Sequence, residues 1–297
     1  MTTLEKTLIV GIESKIGVPL AADMRKNGQK FIGTTRRLGN KSLLYLDLTD
    51  SPETWDIPGG INSAVICAGV TNMEACAADP EYTARVNVSG PIALAERLMA
   101  QGAYVLFLST NMVFGDSEKI PGPEEKPTPT TEYGRQKIIA EASILQLGER
   151  SAVLRMTKVF DPANRLITQW KVALKKNVSI KAFSDMYAAP TPVFCVTQAI
   201  KYLLASKAPG IWHLSGDRDI SYVDIARAGA LALGADKSLV KPVASPGEKV
   251  SPRRTIMDMR KLQEAAGIYP PTVDKTVISA FVEKESLADA SAAIWRE

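Results

Sequence analysis

The sequence predicts an α/β protein: a doubly wound parallel sheet with a smaller C-terminal α/β lobe. Short apolar runs alternate with longer stretches of helical spacing through the first half of the chain. The runs are apolar nearly throughout, as strands of a parallel sheet covered on both faces must be. At 297 residues, 45% hydrophobic and 23% charged, the chain is long enough to bury a large core.

Taken in order, "TLIVG" (Thr7 to Gly11) reads as the first buried strand. "IGVPLAADMRKNG" has helical spacing and stops at Gly28, a glycine where helices commonly end. "QKFIGTT" and "SLLYLDL" supply the second and third strands, "SAVICAG" the fourth and "AYVLFLST" the fifth. Helices follow the fourth and fifth, in "EYTARVNVSGPIALAERLMAQG" and "EYGRQKIIAEASILQLG". Pro91 falls inside the first of these and predicts a kink or break, because proline lacks the N–H that the helix needs. After "SAVLRM" the rhythm loosens. Short strands and prolines in "FSDMYAAPTPVF" precede a helix in "VTQAIKYLLASK", a strand in "GIWHLSG" and a helix in "SYVDIARAGALALG".

Composition narrows the function. The net charge of +4, from 36 basic and 32 acidic residues, is spread without like-charge blocks, which argues against nucleic-acid binding. No apolar run is long enough to span a bilayer and the N-terminal residues do not read as a signal peptide, so a cytoplasmic protein with no membrane partner is expected. Cys67, Cys76 and Cys195 lack CxxC spacing and read as reduced core residues. The single histidine, His213, reads as a strand residue, and no metal site is expected.

"GIESKIG" (Gly11 to Gly17) lies between the first strand and the first helix, where a glycine loop lets backbone N–H groups approach a pyrophosphate. It keeps Gly11 and Gly17 but carries Ser14 in place of a middle glycine, and Glu13 is mildly unfavourable for a diphosphate. From Met24 to Leu46 there is no Asp or Glu to hold a free ribose 2′-hydroxyl. Arg36 and Arg37 stand there instead, and guanidinium groups suit a 2′-phosphate, so NADP(H) is favoured over NAD(H). Asp47 is placed to reach the adenine amino group. The full expected cofactor set is Gly11, Ser14, Ile16 and Gly17; Thr35, Arg36 and Arg37; Asp47 and Leu48; Cys67, Ala68 and Gly69; and Tyr133 with Lys137. Residues 1–155 thus read as a dinucleotide-binding domain and 156–297 as mainly a substrate lobe, interleaved with it where residues around 191–215 return to the first domain.

In "YGRQK", Tyr133 and Lys137 are one helical turn apart on one face. Ser109 and Thr110 end the preceding strand, at the edge where doubly wound sheets bind ligands. A tyrosine, whose unperturbed pKa is about 10, serves as proton donor to a carbonyl if its anion is stabilised. An ammonium about 4 Å away contributes on the order of 4 kcal/mol at an effective dielectric of about 20, enough to lower a phenol's pKa by about three.

With these residues in place, the sequence resembles the nucleotide-sugar branch of the extended short-chain dehydrogenase/reductase superfamily, of Rossmann-like fold, and within it the dTDP-4-dehydrorhamnose reductases. The resemblance runs through "ICAGVTNMEACAADPEYTARVNVSG", "LSTNMVFGD", "PTPTTEYGRQKIIAE", "VLRMTKVFDP", "APTPVFCVTQAI" and "GIWHLSGDRDISYVDIARA". It implies a catalytic set of Thr110, Tyr133 and Lys137 with Asn87 in support, an NAD(P) cofactor, and a nucleotide-sugar substrate between the lobes. Candidate substrate contacts are Thr110, Asn111, Met112, Thr191 and Arg253. "TNM" stands where the reductases have Thr-Asp-Tyr, and Asn111 and Met112 cannot serve the acid–base steps of the related dehydratases. The expected activity is NADPH-dependent reduction of a keto group on a nucleotide-linked sugar. A redox-neutral epimerase and a non-catalytic NADP-binding regulatory subunit stay open as alternatives. Apolar stripes on the helices starting near Glu81 and Tyr133 make a homodimer an option.

Overall fold

The computed structural model describes residues 5–116, 119–161, 164–245 and 254–282. Its centre is a seven-stranded sheet in which every pairing is parallel. The strands are β1 (Lys6–Val10), β2 (Lys30–Thr35), β3 (Leu44–Tyr45), β4 (Ser63–Ile66), β5 (Tyr104–Thr110), β6 (Ser151–Met156) and the Gly210–Leu214 strand. Across the sheet the order is Gly210–Leu214, β6, β5, β4, β1, β2, β3. The chain reverses its winding between β1 and β4, and loops on both sides of that point open at the carboxyl edge.

Alternation along the central strands builds two separate apolar layers. On β5, Tyr104, Leu106 and Leu108 enter one core while Val105 and Phe107 enter the other. On β6, Ala152, Leu154 and Met156 join the first and Val153 the second. The first layer is covered by α1 (Gly17–Lys26) and the Val193–Ser206 helix through Leu20, Met24, Val196, Ile200 and Leu203. The second is covered by α4 (Gly90–Ala100) and α5 (Glu132–Gln146) through Leu94, Leu98, Ala140 and Ile144. Each large apolar side chain buried in this way is worth about 1.5–3 kcal/mol against leaving it in water. A third cluster, from Trp170, Leu174, Ile225, Val277 and Phe281, packs the C-terminal helices around short two-stranded pairings.

Most expected elements are present, and three differ in detail. The third strand is only Leu44–Tyr45, because the backbone after it turns at Asp47, whose carboxylate accepts from the Thr49 N–H and hydroxyl. Two short helices, α2 (Met73–Ala78) and α3 (Pro80–Ala84), precede the long one and are capped by Asn72 and Asp79. The disruption expected at Pro91 is a five-residue π-helix, Arg85–Ser89, that runs directly into α4. Widening the helix just ahead of the proline accommodates its missing donor, and the same segment carries Asn87.

Two glycines are required by contact. A Cβ on Gly17 would lie 2.6 Å from the backbone oxygens of Gly11 and Ile12, so only glycine lets α1 start this close to β1. A Cβ on Gly134 would lie 2.3 Å from the Met112 carbonyl oxygen, so Gly134 sets how tightly α5 seats against the end of β5. Gly17→Ala is expected to cost about 1–3 kcal/mol of stability, the usual range for forcing a methyl into packed structure. Urea unfolding reads this directly, and an unchanged midpoint would contradict the close approach.

Candidate active site

A cavity of about 470 Å³ opens at the carboxyl edge of the sheet. Its walls include Ser14, Lys15 and Ile16 from the glycine loop, Cys67, Ala68 and Gly69 after β4, Asn87, and Ser109 to Met112 at the end of β5. Tyr133 and Lys137 of α5 complete one side, and Met156 to Val159, Met186 to Ala188, Tyr222 and Thr255 the other. The structure therefore brings Thr110, Tyr133, Lys137 and Asn87 to one crevice with the loop that the sequence singles out.

The local reasons are visible residue by residue. Thr131 caps α5 by accepting from the Gly134 N–H at 3.1 Å, which places Tyr133 in the first turn and Lys137 one turn later. Thr110 ends β5 and its Oγ1 accepts from the Met112 N–H at 3.2 Å, leaving its proton to donate. Asn87 is a brace. Its Oδ1 accepts from the Val70 N–H at 2.8 Å, and its Nδ2 donates to the Val70 carbonyl and to Gln136 Oε1, both at 2.9 Å. One side chain thereby ties the loop after β4 to the helix that carries Tyr133.

Tyr133 is almost fully enclosed, and burial pushes its phenol well above the ordinary value, partly opposed by the Thr110 hydroxyl. The phenol is consequently protonated at neutral pH, as a proton donor must be. Lys137 is also buried, and loss of solvent pulls its ammonium down to about 7, with Glu141 acting against the shift. Its Nζ donates to the Leu108 carbonyl at 2.6 Å and lies 3.6 Å from the centre of the Phe107 ring.

Beneath this pair lies a polar chain that the sequence reading did not single out. Glu141, one turn beyond Lys137, accepts from Arg155 Nη2 at 2.7 Å and Nε at 3.0 Å, and also bonds the Ser109 hydroxyl. Arg155 and Glu141 are only 2% and 3% exposed, so neither charge could exist there without the other. Arg155 Nη1 also approaches His213 Nε2 at 3.5 Å, and His213 Nδ1 lies 3.1 Å from the Asp258 carbonyl oxygen. A carbonyl accepts and a guanidinium donates, so the ring is neutral with its proton on Nδ1. Two signals were available: Glu141 shares the helix face of Tyr133 and Lys137, and Arg155 is a lone charge inside an apolar strand.

The cofactor-side residues divide. Ser14 accepts from the Gly17 N–H at 2.9 Å through its hydroxyl, so it closes the loop onto the start of α1. Glu13 turns away from the loop, accepting from the Thr35 hydroxyl at 2.5 Å and from Arg37 Nη1 at 3.2 Å. Arg36 reaches the Tyr82 hydroxyl at 3.5 Å and is otherwise exposed. Gly11 holds a positive φ of 77°, Leu48 is buried with its carbonyl against Gly90, and Asp47 accepts from the Thr49 N–H and hydroxyl through one carboxylate oxygen, Oδ1. Of the substrate candidates, Asn111 and Met112 line the cavity, whereas Thr191 is wholly buried and bonded to the Thr157 hydroxyl at 2.8 Å. Arg253 lies outside the described residues. Tyr187, Tyr222, Asn164, Lys158 and Thr255 also line the cavity.

A parallel sheet with a glycine loop at its switch point and a Thr–Tyr–Lys set across from it defines an oxidoreductase of the extended short-chain dehydrogenase/reductase type. The chain belongs to the RmlD substrate binding domain family, whose match spans residues 5–286. It is 28% identical over 239 residues to a dTDP-4-dehydrorhamnose reductase of Streptomyces griseus, covering 76% of this chain and 78% of the relative. It is 22% identical over 273 residues to methionine adenosyltransferase 2 subunit beta of Xenopus tropicalis, covering 87% and 82%. Among solved structures, dTDP-4-dehydrorhamnose reductase from Bacillus anthracis str. Ames in complex with NADP shares the fold, with a TM-score of 0.81 at 19% identity over 94% of this chain and 99% of that one.

Burial and Arg155 together push His213 down to about 3. Between about pH 3 and 6.5 the unfolded chain binds a proton at this site that the folded protein does not, so stability rises with pH across that window. Relative to wild type, His213→Gln is expected to flatten the slope by up to about 1.4 kcal/mol per pH unit. Denaturant unfolding at a series of pH values measures it, and identical slopes would show that His213 is not held neutral.

Proposed function

We propose that this protein reduces a keto group on a nucleotide-linked sugar, with NADPH as the preferred cofactor and Tyr133 as the proton donor. One observation carries the reading: a single cavity joins the glycine loop to Thr110, Tyr133 and Lys137. The loop fits a dinucleotide, because Gly17 gives it the close approach that any side chain would block and Ser14, Lys15 and Ile16 face the cavity. The 28%-identical Streptomyces griseus relative is a reductase of such a sugar, and the Bacillus anthracis neighbour was solved with NADP.

The chemistry a reduced nicotinamide held here would supply is a hydride for the carbonyl carbon. The Thr110 hydroxyl orients the carbonyl oxygen, and Tyr133 gives that oxygen its proton, so the ketone becomes an alcohol and the tyrosine a phenolate. Raising the phenol's pKa by burial makes it a poorer acid in the ligand-free protein. A cation must offset this when the proton leaves, and Lys137 is one turn away on the same helix. For Lys137 to serve, its ammonium leaves the Leu108 carbonyl and swings toward the cavity. Arg36 is the better placed guanidinium for a 2′-phosphate, since Arg37 is paired with Glu13.

The second reading, a cofactor-binding regulatory subunit, is favoured by the match to methionine adenosyltransferase 2 subunit beta. Tyr133→Phe separates the two. It is expected to lower turnover of a nucleotide-linked keto sugar by about 10²–10⁴-fold, the usual worth of a positioned acid, while NADPH affinity stays nearly unchanged. Steady-state NADPH oxidation and a fluorescence titration give the two quantities. Unaltered turnover in the variant would remove Tyr133 from the chemistry, and a wild-type protein that binds NADPH but oxidises none with any such sugar would favour the regulatory reading.

A further inference from the structure

Among the described residues, every charged side chain lining the cavity is a lysine, Lys15, Lys137 and Lys158, and no carboxylate is part of the lining. Lys15 sits in the glycine loop and Lys137 is bonded to Leu108, which leaves Lys158 with no assigned task. It follows β6, separated by two strands from β1 and its glycine loop, and shares the cavity lining with Thr157, Asn164, Tyr187 and Tyr222. Among the described residues its ammonium has no hydrogen-bond or ion-pair partner, although the side chain is solvent-accessible and its pKa is lowered by the protein around it.

The root of Lys158 is fixed. The Thr157 N–H donates to the Leu214 carbonyl at 3.1 Å, the Lys158 carbonyl accepts from the Thr191 N–H at 2.9 Å, and the hydroxyls of Thr157 and Thr191 bond at 2.8 Å. Met156 is the sheet partner of Thr110, so Lys158 follows two residues beyond the level of the reacting centre. Two extended residues advance roughly 7 Å, and a lysine stem reaches back over about that distance. An exposed ammonium that lines the cavity and has no partner among the described residues is free to take an anionic oxygen group brought by a ligand.

We propose that Lys158 is a specificity-determining residue that selects substrates bearing an anionic oxygen group, carboxylate or phosphoryl, within about one sugar ring of the carbon that is reduced. The proposal rests on the nucleotide-sugar reading and assigns to Lys158 the recognition of the substrate's anionic group. Both sources of the anion present the same oxygens, and they differ in where the substrate carries them: on the sugar itself or on the diphosphate that links it to the nucleoside.

The test uses the full chain loaded with NADPH, as wild type, Lys158→Met and Lys158→Arg, titrated calorimetrically with UDP-glucose and UDP-glucuronic acid. Methionine keeps the stem and removes the charge. Loss of about tenfold in affinity for both ligands in Lys158→Met, recovered in part by Lys158→Arg, places the diphosphate at Lys158. The same loss for UDP-glucuronic acid alone places the sugar carboxylate there. Unchanged affinity for both in a variant that still binds NADPH overturns the proposal and leaves the nucleotide-sugar reading standing. A wild-type protein that binds NADPH but no nucleotide sugar, dTDP-glucose included, overturns both.

Discussion

Arg155 and Glu141 face each other inside the protein, on β6 and α5, where each alone would be an unpaid buried charge. Their pairing fixes the rotation of α5 about its axis, and with it the direction in which Tyr133 and Lys137 leave that helix. Ser109 and His213 close the chain from the two strands that flank β6. The ends of β5 and β6, the middle of α5 and the edge strand Gly210–Leu214 are thus locked together by hydrogen bonds that apolar packing could not direct. Breaking the pair by removing one partner would leave the other uncompensated, at a cost of about 3–5 kcal/mol.

The cavity above this chain is built by close approaches on both sides. Gly17 brings α1 onto the end of β1, and Gly134 brings α5 onto Met112. The π-helix ahead of Pro91 aims Asn87 at the loop after β4, and Gln136 answers it from α5. Burial then sets the protonation states: the phenol stays neutral, and Lys137 is drawn down to about 7. Both shifts follow from excluding water.

Much of this was legible in the sequence. Near-continuous apolar strands gave the parallel sheet, and the position of Tyr133 and Lys137 after a strand ending in Ser109 and Thr110 gave the crevice. Pro91 marked the irregular helix because proline cannot supply the missing donor. What escaped depends on three-dimensional pairing. Glu13 turned out to face Thr35 and Arg37, since only the fold brings residues 22 and 24 positions apart into contact. Asp47 turned inward on its own loop, because a short-range bond to Thr49 was available. Lys158 lies in the family-like segment "VLRMTKVFDP", yet nothing in a linear string shows that none of its described neighbours pairs with its ammonium.

The proposed function requires that the crevice bind a reduced dinucleotide with its 2′-phosphate beyond β2 and its reacting end against Thr110 and Tyr133. A fluorescence titration of the wild-type protein with NADPH and, separately, NADH tests it most directly. Saturable binding with NADPH at least about tenfold tighter, as expected for a charge-assisted contact to the 2′-phosphate, is the predicted result. Binding of neither nucleotide would contradict the account, and equal binding of both would contradict the role given to Arg36.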